Sequence, residues 1–188
     1  MAKPLALEER VIIAVSMALK AKQHFLLWRL THGVEGHRKH RSVYNEYWEA
    51  IRFLQNGQLI AAIVELHSLW ERRTETINLA GLLDEVEGVI GKPLAGRTAL
   101  AEAVSSVMKI RLLRNAAIAH RTNKKSYNDV FAKAAITVDQ IEGLIDLAIN
   151  LANDLLEALG ADRQELNPLP LETYNRLFRD LSEVNSDE

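Results

Sequence analysis

The chain has no cysteine among its 188 residues. Disulfides and thiolate metal sites are therefore excluded, and a reducing cytoplasm is the compartment it fits. Proline is scarce, with four, and glycine occurs nine times, so few positions force the backbone out of a helix. Charge of one sign is also lacking: the net charge is -2. No global field draws in nucleic acid, and RNA contact must come from a local basic patch or a cleft between two chains. The sequence offers no charge-free apolar run of the ~18 residues that a membrane span needs. After Met1-Ala2-Lys3-Pro4-Leu5 come Glu8, Glu9 and Arg10, not the apolar stretch and small-residue cleavage site of a secretory leader. A cytoplasmic chain without a membrane partner is expected.

What the sequence does contain is helix formers. Hydrophobic residues make up 48% and charged residues 26%, a balance that folds around a core. Val11, Val15, Ala18, Phe25 and Arg29 recur at helical spacing and predict a first helix over 5–30. Gly33 and Gly36 break it, and His37-Arg38-Lys39-His40-Arg41 reads as a basic turn. Ser42 is placed to cap a short second helix with Tyr44, Trp48, Ile51 and Leu54, stopped by Asn56-Gly57. A third helix over 58–83 follows from Leu59, Ile63, Leu66, Trp70 and Ile77. Beyond a loop with Gly88, Gly91, Pro93 and Gly96, Thr98 caps a fourth helix ending near Arg121. Ser126 and Tyr127 open a short helical segment. Thr137-Val138-Asp139-Gln140 then reads as a capping box. Val138, Ile141, Ile145, Ala148, Ala152, Leu155 and Leu159 continue that helix until Gly160 ends it. Pro168 and Pro170 lead to a last helix over 171–184 and an acidic tail.

No segment alternates apolar and polar residues long enough for a strand, and there is no internal repeat. The expected fold is all-α: an antiparallel helical bundle over 1–165, with a short C-terminal helix and acidic tail over 166–188. Architecture alone assigns no function.

The fourth helix carries the chemistry. At about 100° per residue, Leu100, Val104, Val107 and Ile118 fall within roughly 40° of one another. Arg111 and Arg114 fall on the same stripe, so two guanidinium groups are expected where the pattern reads as buried. A buried arginine without a partner costs several kcal/mol. Either carboxylates such as Glu71, Glu75, Asp139 or Glu142 pair with them, or the two line a cleft or subunit interface. His120 follows Arg114 by six positions and would sit about 120° away on a straight helix. The two share a site if the helix ends near His120, as the polar Thr122-Asn123-Lys124-Lys125-Ser126 allows, or if two chains combine their motifs.

Ile110-Arg111-Leu112-Leu113-Arg114-Asn115-Ala116-Ala117-Ile118-Ala119-His120-Arg121 resembles the signature of HEPN domains: arginine, a polar residue, a short spacer, histidine. The five-residue spacer and the closing Ile-Ala-His-Arg are most similar to the abortive-infection, AbiU-type branch, a bacterial defence group. The resemblance extends over about 5–160 and implies an HEPN-like bundle. It also implies metal-independent ribonuclease activity in a toxin or antiviral system, with an antitoxin or defence-system protein as a further partner. By position it makes Arg114 and His120 the catalytic pair and Asn115 the polar residue that orients them, with Arg111 and Arg121 adding phosphate contacts. Some members carry, two residues after the histidine, a tyrosine that a partner nucleotidyltransferase modifies. Thr122 stands there in this chain, which argues against that control.

The chemistry of RNA cleavage accords with these residue types. The 2′-hydroxyl is the nucleophile, so the site must supply a base, an acid for the leaving 5′-oxygen, and positive charge for the phosphorane. Histidine titrates near neutrality and arginine binds phosphate oxygens in pairs. One motif holds one histidine; two motifs side by side hold two, which makes a homodimer with a composite site the expected assembly. No metal or cofactor is expected. His32, His37 and His40 match no standard metal spacing, and Glu35-Gly36-His37 and Glu65-Leu66-His67 have the wrong step for a di-metal bundle. His67 reads as a core histidine, and the basic run at 37–41 as a solvated turn or an RNA contact. A second reading stays open at this point: a silent HEPN-like bundle that binds RNA, nucleotide or a protein partner.

Overall fold

A computed structural model describes residues 5–73, 75–115 and 127–184. Every regular element among them is helical: α1 (Leu7–His32), α2 (Val34–Lys39), α3 (Arg41–Glu46), α4 (Trp48–Trp70), α5 (Leu79–Ile90), α6 (Gly96–Arg114), α7 (Tyr127–Ala134), α8 (Val138–Ala158) and α9 (Leu169–Val184). The chain is an all-α bundle.

The hub is α1. By length and composition it is apolar enough to cross a membrane, more so than the sequence reading allowed. In the fold its apolar positions face other helices. Val11, Ala14, Val15, Ala18, Ala21 and Phe25 are fully buried, and the small alanines let neighbours approach closely. Its longest contacts are with α4 and α8. Polar pairs give their direction: His24 meets Gln58 and Thr31 meets Gln55 on α4, while Lys22 meets Asp146 and Arg29 meets Glu142 on α8. Both partners therefore run antiparallel to α1. Glu8 and Glu9 sit in its first turn and Arg29 and His32 in its last, the charge order that a helix dipole favours.

The best-marked helix forms as its sequence predicts. Gln140 N donates to Thr137 Oγ1 at 3.2 Å, and Thr137 N donates to Gln140 Oε1 at 3.2 Å. Ile141, Leu144, Ile145, Ala148 and Ala152 then line one buried face of α8. Val138, expected on that stripe, is exposed instead. Gly160 closes the segment with φ +85.

Other boundaries differ from expectation. Asn56-Gly57 does not stop a helix; α4 runs through it. A mid-helix glycine costs about 1 kcal/mol, and Ile51, Ala62, Ile63 and Leu66 on either side bury enough apolar surface to offset that. The third helix expected over 58–83 is two helices with a break between Trp70 and Leu79. Asn78 makes the break: its Oδ1 accepts from Gly81 N at 2.9 Å, while its Nδ2 donates to the Arg73 and Thr76 carbonyls at 3.0 Å. It caps α5 and ties the preceding loop to it. Gly88 lies inside α5, and Gly91 ends that helix in the left-handed region at φ 69. The basic run at 37–41 is not a turn but the junction of α2 and α3, where the His37 ring packs against Tyr44 at 4.2 Å.

The fourth predicted helix begins at Gly96, with Thr98 inside its first turn rather than capping it. A Cβ at Gly96 would lie 2.7 Å from Leu151 Cδ2 and 3.7 Å from Leu83 Cδ1. Glycine thus lets α6 start against α8 and α5. With Lys109 reaching Gln140 at 3.3 Å, α6 also runs antiparallel to α8. Away from the main core, Val43, Tyr44, Ile51 and Phe178 form a second cluster that fastens α9 to α3 and α4.

Candidate functional site

The buried face of α6 is Ala103, Ile110 and Leu113, not the expected stripe of Leu100, Val104 and Val107. Val104 is 57% exposed, and Leu100 and Val107 are half-buried. The fourth member, Ile118, lies outside the described residues. The difference has a simple cause. Ala99, Leu100, Ala101, Val104, Val107, Met108 and Leu112 make α6 apolar on nearly every side, so projection alone selects no unique face.

Turning α6 this way changes the reading of its arginines. Arg111 is exposed and Arg114 half-buried, so neither must find a carboxylate to be tolerated. Among the described residues neither joins an ion pair. Two of the four proposed internal partners are engaged elsewhere: Glu142 with Lys22 and Arg29, and Glu71 with Arg73 at 2.9 Å. Arg114 NH1 instead donates to Asn115 Oδ1 at 3.0 Å. The amide turns the guanidinium without neutralising it, which leaves its charge available to an anion. Asn115 continues the helical backbone at φ -68, ψ -41. His120 and Arg121 lie outside the described residues, as does Thr122. The structure therefore brings Arg114 and Asn115 together and sets Arg111 on the neighbouring outer face.

A cleft of about 780 Å³ opens beside this helix. One wall is the outer side of α6: Arg97, Leu100, Ala101, Val104, Met108 and Arg111. The opposite wall is the end of α4 and the segment after it, with His67, Trp70, Glu71, Arg72 and Arg73; Asp84 of α5 closes one end. Arg97 is held there by Asp84 at 2.8 Å and by Glu87.

His67, in the last turn of α4, is 4% exposed. Its Nδ1 lies 3.7 Å from Glu71 Oε2. Burial is the main force holding its pKa below the usual histidine value; Glu71 pulls the other way, and the charges of Arg114, Arg111 and Arg73 add to the depression. The imidazole thus registers the positive field at this end of α6. It sits in the core as the sequence reading had it. Trp70, Arg72 and Arg73 were not picked out as site residues, although Leu69-Trp70 followed at once by Glu71-Arg72-Arg73 is the sequence mark of a helix end rimmed by charge.

A family model described as AbiU2, of the HEPN class, matches residues 7–180. No curated protein and no solved structure matches the chain.

Proposed function

The chain belongs to the AbiU2 family of HEPN domains, and from that footing we propose that it is a metal-independent RNA endonuclease of an abortive-infection or toxin system. The observation that carries the reading is the state of Arg114: half-buried, turned by Asn115, and free of any carboxylate among the described residues. A structural ion pair would have used that charge. A phosphate-binding arginine needs it unspent.

In the proposed reaction the RNA 2′-oxygen attacks the adjacent phosphorus. A base takes the 2′ proton, the bond to the 5′-oxygen breaks, and an acid protonates the leaving oxygen. The products are a 2′,3′-cyclic phosphate and a 5′-hydroxyl. Arg114 binds the phosphoryl oxygens as charge builds on them, Asn115 holds Arg114 in position, and His120 moves the proton. Arg111 and Arg121 contribute positive charge along the RNA. Each chain supplies one such histidine, so a homodimer with two motifs side by side completes the acid–base pair.

Purified protein should cleave single-stranded or transfer RNA in EDTA, and Arg114→Ala and His120→Ala should each lower the rate by about 10² or more. The fold of both variants is checked by circular dichroism. Equal RNA survival with wild type and His120→Ala would remove the nuclease reading, and a monomer by light scattering at micromolar concentration would remove the composite site.

A further inference from the structure

The cleft beside α6 is built for something other than closing the core. At about 780 Å³ it lies within the 300–1,000 Å³ of small-molecule sites. Its two ends differ in chemistry. Around Arg97 the charge is already neutralised by Asp84 and Glu87. At the other end Arg111 is exposed, and it and the exposed Arg72 of the facing wall join no ion pair among the described residues. Between the ends the walls are apolar. Val104 and Met108, 57% and 56% exposed, face the segment that carries Trp70. The Trp70 Nε1 is shielded from solvent and has no hydrogen-bond partner, an uncommon condition for an indole donor.

We propose that this cleft seats one unpaired nucleotide of the RNA substrate, its phosphate on Arg111 and Arg72 and its base between Trp70, Val104 and Met108. The proposal rests on the nuclease reading for the identity of the RNA as substrate, while the binding itself is measured without turnover. Two unspent guanidinium groups beside an apolar slot match a nucleotide's own division into charged phosphate and flat apolar base. Position supports the same occupant. Arg111 and Arg114 are three residues apart, about 5–6 Å between their Cβ atoms, so a strand whose phosphate lies on Arg114 places its neighbour at the mouth of the cleft. A base drawn into a slot cannot remain paired, which directs the protein to single strands and loops.

The test uses the full-length His120→Ala protein and fluorescence anisotropy with three probes: a short single-stranded oligoribonucleotide, the same sequence in a duplex, and free adenosine monophosphate as competitor. Single-stranded RNA should bind at least about tenfold more tightly than duplex. Ala101→Trp, placed at an exposed position on the cleft wall, should fill the slot and weaken binding about tenfold. Arg111→Ala should weaken binding and reduce the salt slope by about one. Unchanged binding in both variants overturns the proposal, as does equal affinity for duplex. Binding of the free nucleotide with no binding of RNA overturns RNA as the occupant. Cleavage by the wild-type chain, assayed in parallel, separates the two readings. Cleavage with cleft-independent binding leaves the nuclease standing and removes the cleft. Cleft-dependent binding without cleavage does the reverse.

Discussion

At the scale of single residues, charge placement decides what α6 can do. Arg97 and Arg114 occupy the same helix, yet Arg97 is surrounded by Asp84 and Glu87 whereas Arg114, among the described residues, hydrogen-bonds an amide. The first is an exposed pair of the kind that contributes little stability; the second carries a charge that no described carboxylate neutralises. His67 makes this environment measurable. Its folded-state pKa is depressed, so the unfolded chain takes up a proton first as pH falls. Stability contributed by the neutral ring is present above the ordinary value of 6.5 and declines below it. Thermal melts should fall more steeply between pH 7 and about 5 for wild type than for His67→Gln, a difference that equal slopes would contradict. Part of this site could be read from residues alone. The pairing of Arg114 with Asn115 was legible because the two are adjacent in a short local pattern. The orientation of Arg111 was not, because apolar residues lie on nearly every side of the helix and packing against α4 and α8 chooses among them.

At the scale of elements, legibility follows from how one-sided the local signals are. Thr137 and Gln140 mark the start of α8, one apolar face follows, and Gly160 stops it; all three agree and the helix forms there. Asn56-Gly57 gave a stop signal that the burial of α4 overrode. Asn78, whose side chain holds three backbone groups, gave a start signal lost within a longer apolar rhythm. Gly96 was read as loop, although its missing side chain is what lets α6 touch α8. Replacing it tests that close approach. Gly96→Ala should destabilise the fold by about 1–3 kcal/mol, since its Cβ would meet Leu151 Cδ2 at 2.7 Å. The matching denaturation midpoint should drop, and in a double-mutant cycle Gly96→Ala should cost less in a Leu151→Ala background than in wild type. An equal cost in both backgrounds would place the strain elsewhere.

At the scale of the whole molecule, two clusters hold the bundle. The large one joins α1, α4, α5, α6 and α8; the small one fixes α9 through Phe178, with Tyr174 stacked beside it at 5.2 Å. Tyr44 joins the two. Its hydroxyl donates to the Thr31 carbonyl at the end of α1, and burial pushes its pKa up to about 12. Because Phe178 is packed in the small cluster, Phe178→Ala should act locally. A cost of about 3–5 kcal/mol would exceed what α9 alone can sustain, so its amides should exchange rapidly while those of α8 keep their protection. Loss of protection throughout the chain would show instead that the bundle is a single cooperative unit.

The pairing of α1 with α8 also bears on how the protein is made. Lys22 and Glu142 touch across 120 positions, and at translation rates of about 5–20 residues per second the ribosome needs on the order of ten seconds to join them. During that interval α1 has no α8 to lie against, and the strip of Val11, Val15, Ala18 and Phe25 waits uncovered. The core closes only once most of the polypeptide has emerged.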